Sequence, residues 1–235
     1  MDCLRDFVLC AKFCEQNIEN KMMRYSLIML PFVLAKRFFR FANYALFAKL
    51  KVLILSKIWH LECGKNVRFV GKTIIRAYEK GAIKIGDNCK FLSGTENNLV
   101  GLMNPTVLCA PMGARIEIGH DVGCSSVIIH AMESIRLGNY LNIGGNVRIF
   151  DHDFHALEWE NRRPPQNGAA VRSKPVVIED DVFIGTNAII LKGTHIGARS
   201  IVAAGSVVFG LDIPPDSMVK GNPAVIVTRR KVNHA

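Results

Sequence analysis

Ile178, Ile184, Ile190, Ile196, Val202 and Val208 stand six residues apart without a slip, and small residues follow several of them: Gly185, Gly197 and Ala203. Leu137, Ile143 and Ile149 keep the same interval, with Gly138 and Gly144 after the first two. Val67, Thr73, Ile85 and Phe91 hold it more loosely, with Glu79 breaking it, and Ile118–Gly119 opens another short stretch. A period of six fits neither the 3.6-residue turn of a helix nor the alternation of a half-buried strand. It predicts an all-β repeat, a parallel β-helix in which three hexapeptides close a triangular coil of about 18 residues. Ile178 is then expected on Ile196, Ile184 on Val202 and Ile190 on Val208. A glycine or alanine after the aliphatic residue is expected to permit the tight corner. Each coil buries its aliphatics only against its neighbours, so both ends need caps.

Two stretches break the period. Leu92–Val107, with Gly94, Asn97, Asn98, Gly101 and Pro105, is rich in turn formers and predicts an irregular coil. Ile149 and Ile178 are 29 residues apart, which is not a multiple of six, so residues 150–175 must leave the helix as a loop. Its first part, Phe150 to Pro165, holds His152, His155, Asp151, Asp153, Glu158, Glu160 and Trp159. A long excursion from a regular solenoid that carries histidines and carboxylates points to function.

The chain divides into a segment 1–61, a β-helix 62–213 and a C-terminal cap or tail 214–235. The first segment holds most of the charge asymmetry. Lys and Arg outnumber Asp and Glu 30 to 20 over the 235 residues, a net +10, and between Met22 and Leu61 there are seven basic residues and no acidic one. Tyr25–Ala35 is apolar but ends at Lys36 and Arg37, short of the roughly 20 residues that span a bilayer. No small-residue cleavage site follows it, and Met22 and Met23 offer a second start. On a helix, Lys36, Arg37, Arg40, Lys51 and Lys57 fall on one side, opposite Phe38, Phe41, Val52 and Trp59, though Phe47, Leu50, Ile54 and Ile58 intrude on the basic arc. Two readings stay open: an interfacial helix binding an anionic membrane surface through residues 22–61, or a cap on the β-helix with snorkelling basic side chains.

Hydrophobic residues make up 49% of the chain and charged ones 21%, which excludes a disordered protein. Basic and aromatic residues interleave at Lys36–Phe41, but no zinc-finger, RNP or helix-turn-helix pattern accompanies them, so no nucleic-acid partner is expected. The seven cysteines (3, 10, 14, 63, 89, 109 and 124) are odd in number and contain no CxxC pair. They read as idle thiols in a reducing compartment rather than a disulfide framework or zinc site.

Ile116 to Val227 resembles the hexapeptide-repeat O-acetyltransferases, the group that includes maltose and galactoside acetyltransferases and enzymes that acetylate bacterial surface polysaccharides. The matching residues are Asn146–Ile149 before Asp151-His152-Asp153-Phe154-His155, then Val182–Thr186, Ala203–Val208, Asp212–Pro215 and Gly221–Ala224. The resemblance implies a left-handed β-helix, a homotrimer, acetyl-CoA as donor and a sugar hydroxyl as acceptor, in a surface polysaccharide or lipopolysaccharide precursor. It implies that the base is a loop histidine, His155 before His152. A neutral imidazole suits that role, since it takes the hydroxyl proton as oxygen attacks the thioester. Asp151 or Asp153 is the candidate to orient the ring, and Ser125 a candidate near the acceptor. The donor groove carries over to Gly185, Thr186, Ala204, Gly205 and Ser206, with Lys220, Arg229 and Arg230 as candidates for the phosphates. Phe209-Gly210-Leu211 departs from the Thr-Lys of many relatives. No metal is expected, and the expected location is cytoplasmic, peripheral on the inner membrane if the N-terminal segment binds lipid.

Three alternatives stand beside this reading. One is an acetyltransferase of a small soluble acceptor, such as a free sugar or an antibiotic. A second is a γ-carbonic-anhydrase-like enzyme using His120, His130, His152 or His155 on a metal, though the closely spaced histidine pair expected there is missing. The third is a non-enzymatic scaffold.

Overall fold

The computed structural model describes residues 48–229, together with 31, 32 and 35. The basic residues 36, 37 and 40 of the predicted N-terminal helix, and Arg230, therefore lie outside the described residues. Contacts divide the chain into two units, 1–46 and 47–235, and every element below belongs to the second.

Each hexapeptide forms one short strand and one corner. The coils begin with β1 (Glu62–Cys63), β2 (Arg68–Val70) and β3 (Thr73–Ala77), then β4 (Ile83–Ile85), β5 (Lys90–Leu92) and β6 (Thr106–Ala110). The next are β7 (Arg115–Ile118), β8 (Gly123–Ser125) and β9 (Ile128–His130), then β10 (Ser134–Leu137), β11 (Asn142–Gly145) and β12 (Arg148–Phe150). After the long loop come β13 (Val176–Ile178), β14 (Phe183–Ile184) and β15 (Ile189–Ile190), then β16 (His195–Ile196), β17 (Ile201–Val202) and β18 (Val207–Val208). The chain finishes with β19 (Asp212–Ile213), β20 (Ser217–Gly221) and β21 (Ala224–Arg229).

Every third strand pairs in parallel, giving sheet one (β1-β4-β7-β10-β13-β16-β19), sheet two (β2-β5-β8-β11-β14-β17-β20-β21) and sheet three (β3-β6-β9-β12-β15-β18). This is the left-handed parallel β-helix, and the predicted stacking holds: Ile178 pairs with Ile196, Ile184 with Val202 and Ile190 with Val208. Inside, one column per sheet runs the length of the described helix. On sheet three it reads Ile75, Leu108, Ile129, Ile149, Ile190 and Val208, each with at most 2% of its surface exposed. Each such side chain contributes about 1.5–3 kcal/mol on leaving water. In the first coil the inward residues of sheet three are Ile75 and Ala77, while Thr73 is only half-buried; the six-residue spacing lapses there.

Two features of the corners differ from the expectation. The glycine after each inward aliphatic residue does not supply the corner's backbone freedom. Gly185 has an ordinary φ, and its lack of a side chain serves close approach: an added Cβ would lie 2.4 Å from the Ala204 nitrogen of the next coil. The left-handed conformation falls three residues before the strand's inward residue, on an Asn or Asp at seven of the corners: Asn66, Asn88, Asp121, Asn146, Asp181, Asn187 and Asp216, with φ between 57 and 61°. Asn and Asp tolerate that region best among non-glycine residues. The residue after each is a second inward position: Val67, Cys89, Val122, Val147, Val182, Ala188 and Ser217 are all buried.

Helix α1 (Ala48–Trp59) covers the first coil through Val52, Leu55 and Trp59. Lys51 Nζ donates to Thr73 Oγ1 at 3.2 Å and to the Gly71 carbonyl. At the other end β21 folds back antiparallel on β20, so sheet two continues past Ile213 to the hairpin. Among the described residues, no helix is long and apolar enough to cross a membrane.

Candidate functional site

The long loop leaves at the end of β12 and returns to β13. Its base is tied by a bridge between His152 and Ser173, by Lys174 N–H donating to Asp151 O at 2.8 Å, and by Asp153 N–H donating to Arg172 O at 3.2 Å. Its outer part holds the short helix α2 (Trp159–Arg162), on which Arg162 Nη1 donates to the carbonyls of Ala156 and Leu157 at 2.9 and 2.6 Å. Arg163 lies over the Trp159 ring, 4.1 Å from its centroid, and Arg172 pairs with Glu158.

At the loop's base sits one organised set of titratable side chains. Asp151 is fully buried. Its Oδ1 accepts from Met132 N–H at 2.7 Å, its Oδ2 accepts from Glu133 N–H at 2.8 Å, and His152 Nδ1 lies 2.9 Å from Oδ1. Two backbone donors from the preceding coil thus lock the carboxylate, which in turn fixes the imidazole. With Nδ1 as donor, Nε2 is left as the basic nitrogen. His130, from β9, packs against this ring with centroids 4.9 Å apart. Phe154 covers both, 4.2 Å from His152 and 5.2 Å from His130, and meets Phe150 edge-on at 5.0 Å. Phe154 has φ 62°, in the left-handed region where an aromatic residue is strained. Burial first, then the neighbouring His152, push the His130 imidazole below its ordinary value.

The remaining candidates fall as follows. His155 is exposed, three residues beyond His152, and its N–H donates to Asp153 O at 2.7 Å. Asp153 does not face an imidazole; it pairs with Lys192, whose ammonium lies 5.5 Å from the Phe209 ring centroid. Ser125 is nearly buried at the end of β8, and its Oγ accepts from Asn98 Nδ2 at 2.9 Å. His120 lies at another corner, where its Nδ1 accepts from Asp87 N–H at 2.9 Å. Among the described residues no group of three or more His, Cys, Asp or Glu side chains is placed to hold a metal ion.

Ser125 and Thr186 line one cleft at the corner between sheets two and three. This open cleft of about 260 Å³ is lined by Lys90, Asn98, Ser125, Asn142, Gly144, Phe183 and Thr186, among others. The 93–105 excursion forms one wall: Leu102 is buried against Gly145, and Asn146 holds the excursion by accepting from Met103 N–H and donating to Gly101 O. Above the cleft the corner is nearly bare of side chains. Gly144 lies under Thr186 and Gly185 under Ala204, while Gly205, with φ 70°, has open space around it and donates its N–H to Thr186 O at 2.9 Å. Ser206 can serve a groove through its backbone alone. Its side chain points into the helix, where Oγ accepts from Gly221 N–H at 3.3 Å, so only its backbone is left to a ligand. Lys220 is exposed, and Arg229 ends β21. The bare corner and the Asp151–His152 pair sit at opposite ends of β12 and are not brought together within one chain.

The sequence offered His130 only as a metal ligand of the carbonic-anhydrase-like alternative; its packing against His152 was not legible, because it falls between period positions and carries no motif. Sequence reasoning also missed the Asn98 to Ser125 link, which joins an irregular segment to a regular one.

A family model, the hexapeptide repeat of succinyl-transferase, matches residues 175–209. A 2,3,4,5-tetrahydropyridine-2,6-dicarboxylate N-acetyltransferase of Staphylococcus aureus is 49% identical over 55 residues, 23% of each chain. The chain thus matches less than a quarter of that curated relative's length. Among solved structures, a hexapeptide-repeat containing acetyltransferase of Vibrio cholerae aligns with TM-score 0.50 and 26% identity, over 85% of this chain and 90% of that one. A variant of AntD, an N-acyltransferase of Bacillus cereus in complex with dTDP-4-amino-4,6-dideoxyglucose and coenzyme A, aligns with TM-score 0.59 and 24% identity, over 76% and 88%. The second likeness is one of fold.

Proposed function

We propose that this hexapeptide-repeat protein is an acetyl-CoA-dependent O-acetyltransferase that acts as a homotrimer on a sugar hydroxyl of a surface-glycan precursor. The observation that carries the reading is the Asp151–His152 pair, a buried carboxylate locked by two backbone donors and set 2.9 Å from an imidazole nitrogen. It is the arrangement a general base needs: one ring nitrogen held as donor, the other free to take a proton. The thioester supplies the activated acyl group. His152 Nε2 takes the hydroxyl proton as the oxygen attacks the thioester carbonyl, and returns it to the departing thiolate sulfur. No residue of the chain is acylated. Phe154 lies against the ring and is itself braced edge-on by Phe150. The bare corner at Gly144, Gly185, Ala204 and Gly205 offers backbone N–H and C=O groups to the pantetheine arm, with Lys220 and, by its place in the sequence, Arg229 as candidates for the phosphates.

The trimer is supported by the outer faces of the helix. Sheet one turns Glu62, Lys84, Glu117, Arg136, Val177, His195 and Asp212 outward in one row, charged or polar but for Val177, as a solvated face does. Sheet three turns Ile74, Val107, Ile128, Ile189 and Val207 outward, interrupted only by Arg148. An apolar outer row of that length calls for cover by another copy. A second copy there would also offer its bare corner to the histidine loop, which one chain cannot do.

His155 is the second reading, because it is exposed where His152 is covered. Thiol release from acetyl-CoA with a panel of nucleotide sugars and oligosaccharides separates the two. His152→Asn is expected to lower turnover about 10²–10⁴-fold with coenzyme A binding intact, and His155→Ala to leave most of it. The reverse pattern moves the base to His155. Turnover only with amino sugars would make the enzyme an N-acetyltransferase, and no turnover with any acceptor would refute the reading.

A further inference from the structure

Helix α1 is apolar on two faces. Val52, Leu55 and Trp59 pack on the first coil. On the opposite face Leu50, Leu53, Ile54 and Ile58 form a stripe at positions i, i+3, i+4 and i+8, between 47% and 62% exposed, with Lys57 among them. A surface helix normally keeps one such stripe and buries it. Next to the helix end, Arg76 lies 5.0 Å from the Trp59 ring centroid and Tyr78, 58% exposed, meets that ring edge-on.

Charge decides what covers the stripe. The helix itself carries Lys49, Lys51 and Lys57 and no Asp or Glu. A second copy docked stripe to stripe would set like charges against each other. An anionic lipid surface takes apolar side chains into its acyl boundary and neutralises the cations, at about 1 kcal/mol for each Lys or Arg near it. A helix of 12 residues is about 18 Å long, too short to cross, so the placement is parallel to the surface. The exposed Tyr78 is a side chain that favours that depth.

We propose that the outer stripe of α1 (Leu50, Leu53, Ile54 and Ile58) rests in the interface of an anionic bilayer, holding this protein on the membrane surface. The inference is independent of the acyl-transfer chemistry. Its test is sedimentation of the full chain with vesicles of phosphatidylcholine alone or with about one third phosphatidylglycerol, at low and high salt. Binding is expected only to the anionic vesicles and is expected to weaken with salt. The triple variant Leu53→Ser, Ile54→Ser, Ile58→Ser is expected to lose about tenfold or more in partitioning. These side chains are exposed, so its thermal midpoint should match the parent's, and Lys57→Glu gives an independent arm that leaves every apolar residue in place. Equal binding to neutral vesicles, no binding to either, or full binding by both variants overturns the proposal. So does concentration-dependent self-association that the triple variant abolishes, since the occupant would then be a second copy.

Discussion

Asp151→Asn tests the heart of the proposed site, because the carboxylate accepts three hydrogen bonds and is fully buried. An amide in its place keeps the shape but has one accepting oxygen and a donor group. If the oxygen stays with Met132 N–H and the His152 ring, the amide nitrogen faces Glu133 N–H, donor against donor. Turned over, it faces the other two. At least one buried donor is left without an acceptor, at about 1–3 kcal/mol, with the further loss of a charge-assisted bond. Stability is therefore expected to fall by about 2–4 kcal/mol. The effect on rate is separate. In the second orientation the amide donates to Nδ1, so Nε2 must carry the proton and has no lone pair for a hydroxyl. Turnover should fall about 10²–10⁴-fold, measured by thiol release well below the variant's melting midpoint. Coenzyme A affinity, read by calorimetry, should be nearly unchanged, since the bare corner lies at the other end of β12. A variant that unfolds earlier yet keeps the parent's turnover would refute the orienting role and leave Asp151 as a structural tie.

Gly185→Ala places a Cβ 2.4 Å from the Ala204 nitrogen and 2.7 Å from its Cα, backbone atoms that cannot swing away. It should cost about 1–3 kcal/mol in a urea titration, whereas Gly205→Ala, with open space but φ 70°, should cost only about 1 kcal/mol. Ile184→Ala, fully buried between Ile143 and Val202, should cost about 2–5 kcal/mol by the same titration. His195 is raised above its ordinary value chiefly by its hydrogen bond to Asp212, 2.6 Å away, and also by Glu179 at 3.1 Å. Its contribution is thus fully present below about pH 6.5 and lost as pH rises through the raised value; Asp212→Asn should bring the proton-NMR midpoint of His195 down. His130 runs the other way, because burial keeps it neutral: stability should drop as pH falls below about 6.5, and the NMR midpoint should lie below that value.

The solenoid was legible because inward aliphatics repeat without error over Ile178–Val208, and every predicted stacking in that run is present. The first coils were less so. There β3 and β6 are five residues long, so a face carries two inward residues, Ile75 and Ala77, and a count of six falls on Thr73 instead. The corner rule was hidden by looking after the aliphatic residue rather than before it. Asn187-Ala188 and Asp181-Val182 each pair a left-handed residue with a small inward one, a dipeptide that hydrophobic spacing does not weight. The loop's importance was readable from its composition, but the choice of histidine was not. The resemblance put His155 before His152; the proposed reading reverses that order on the carboxylate locked by Met132 and Glu133 of the coil below, which faces His152 and which composition does not reveal.

That locking also explains why a loop histidine can be held well enough to serve as a base. Loops are mobile because few backbone groups are tied down, and residues 151–174 would inherit that freedom if they were anchored only by their two strand ends. Asp151 changes the boundary condition: it stops the chain at the last ordered rung by accepting from the coil below, and the next residue is His152. The imidazole is therefore the first side chain of the excursion, next to the rigid solenoid rather than out on its tip. His155, three residues on, is exposed, and its N–H bonds within the loop, to Asp153 O at 2.7 Å. The same reasoning gives Phe154 its place: its strained φ of 62° turns the chain back over His130 and His152, packing three rings against β9 and β12. Phe154→Ala should therefore lower turnover more than it lowers stability, by letting water reach the ring and by freeing the loop base. Hydrogen exchange at residues 151–156 reads the second effect directly. Unchanged exchange together with unchanged turnover would mean that the aromatic cover has no part in holding the base.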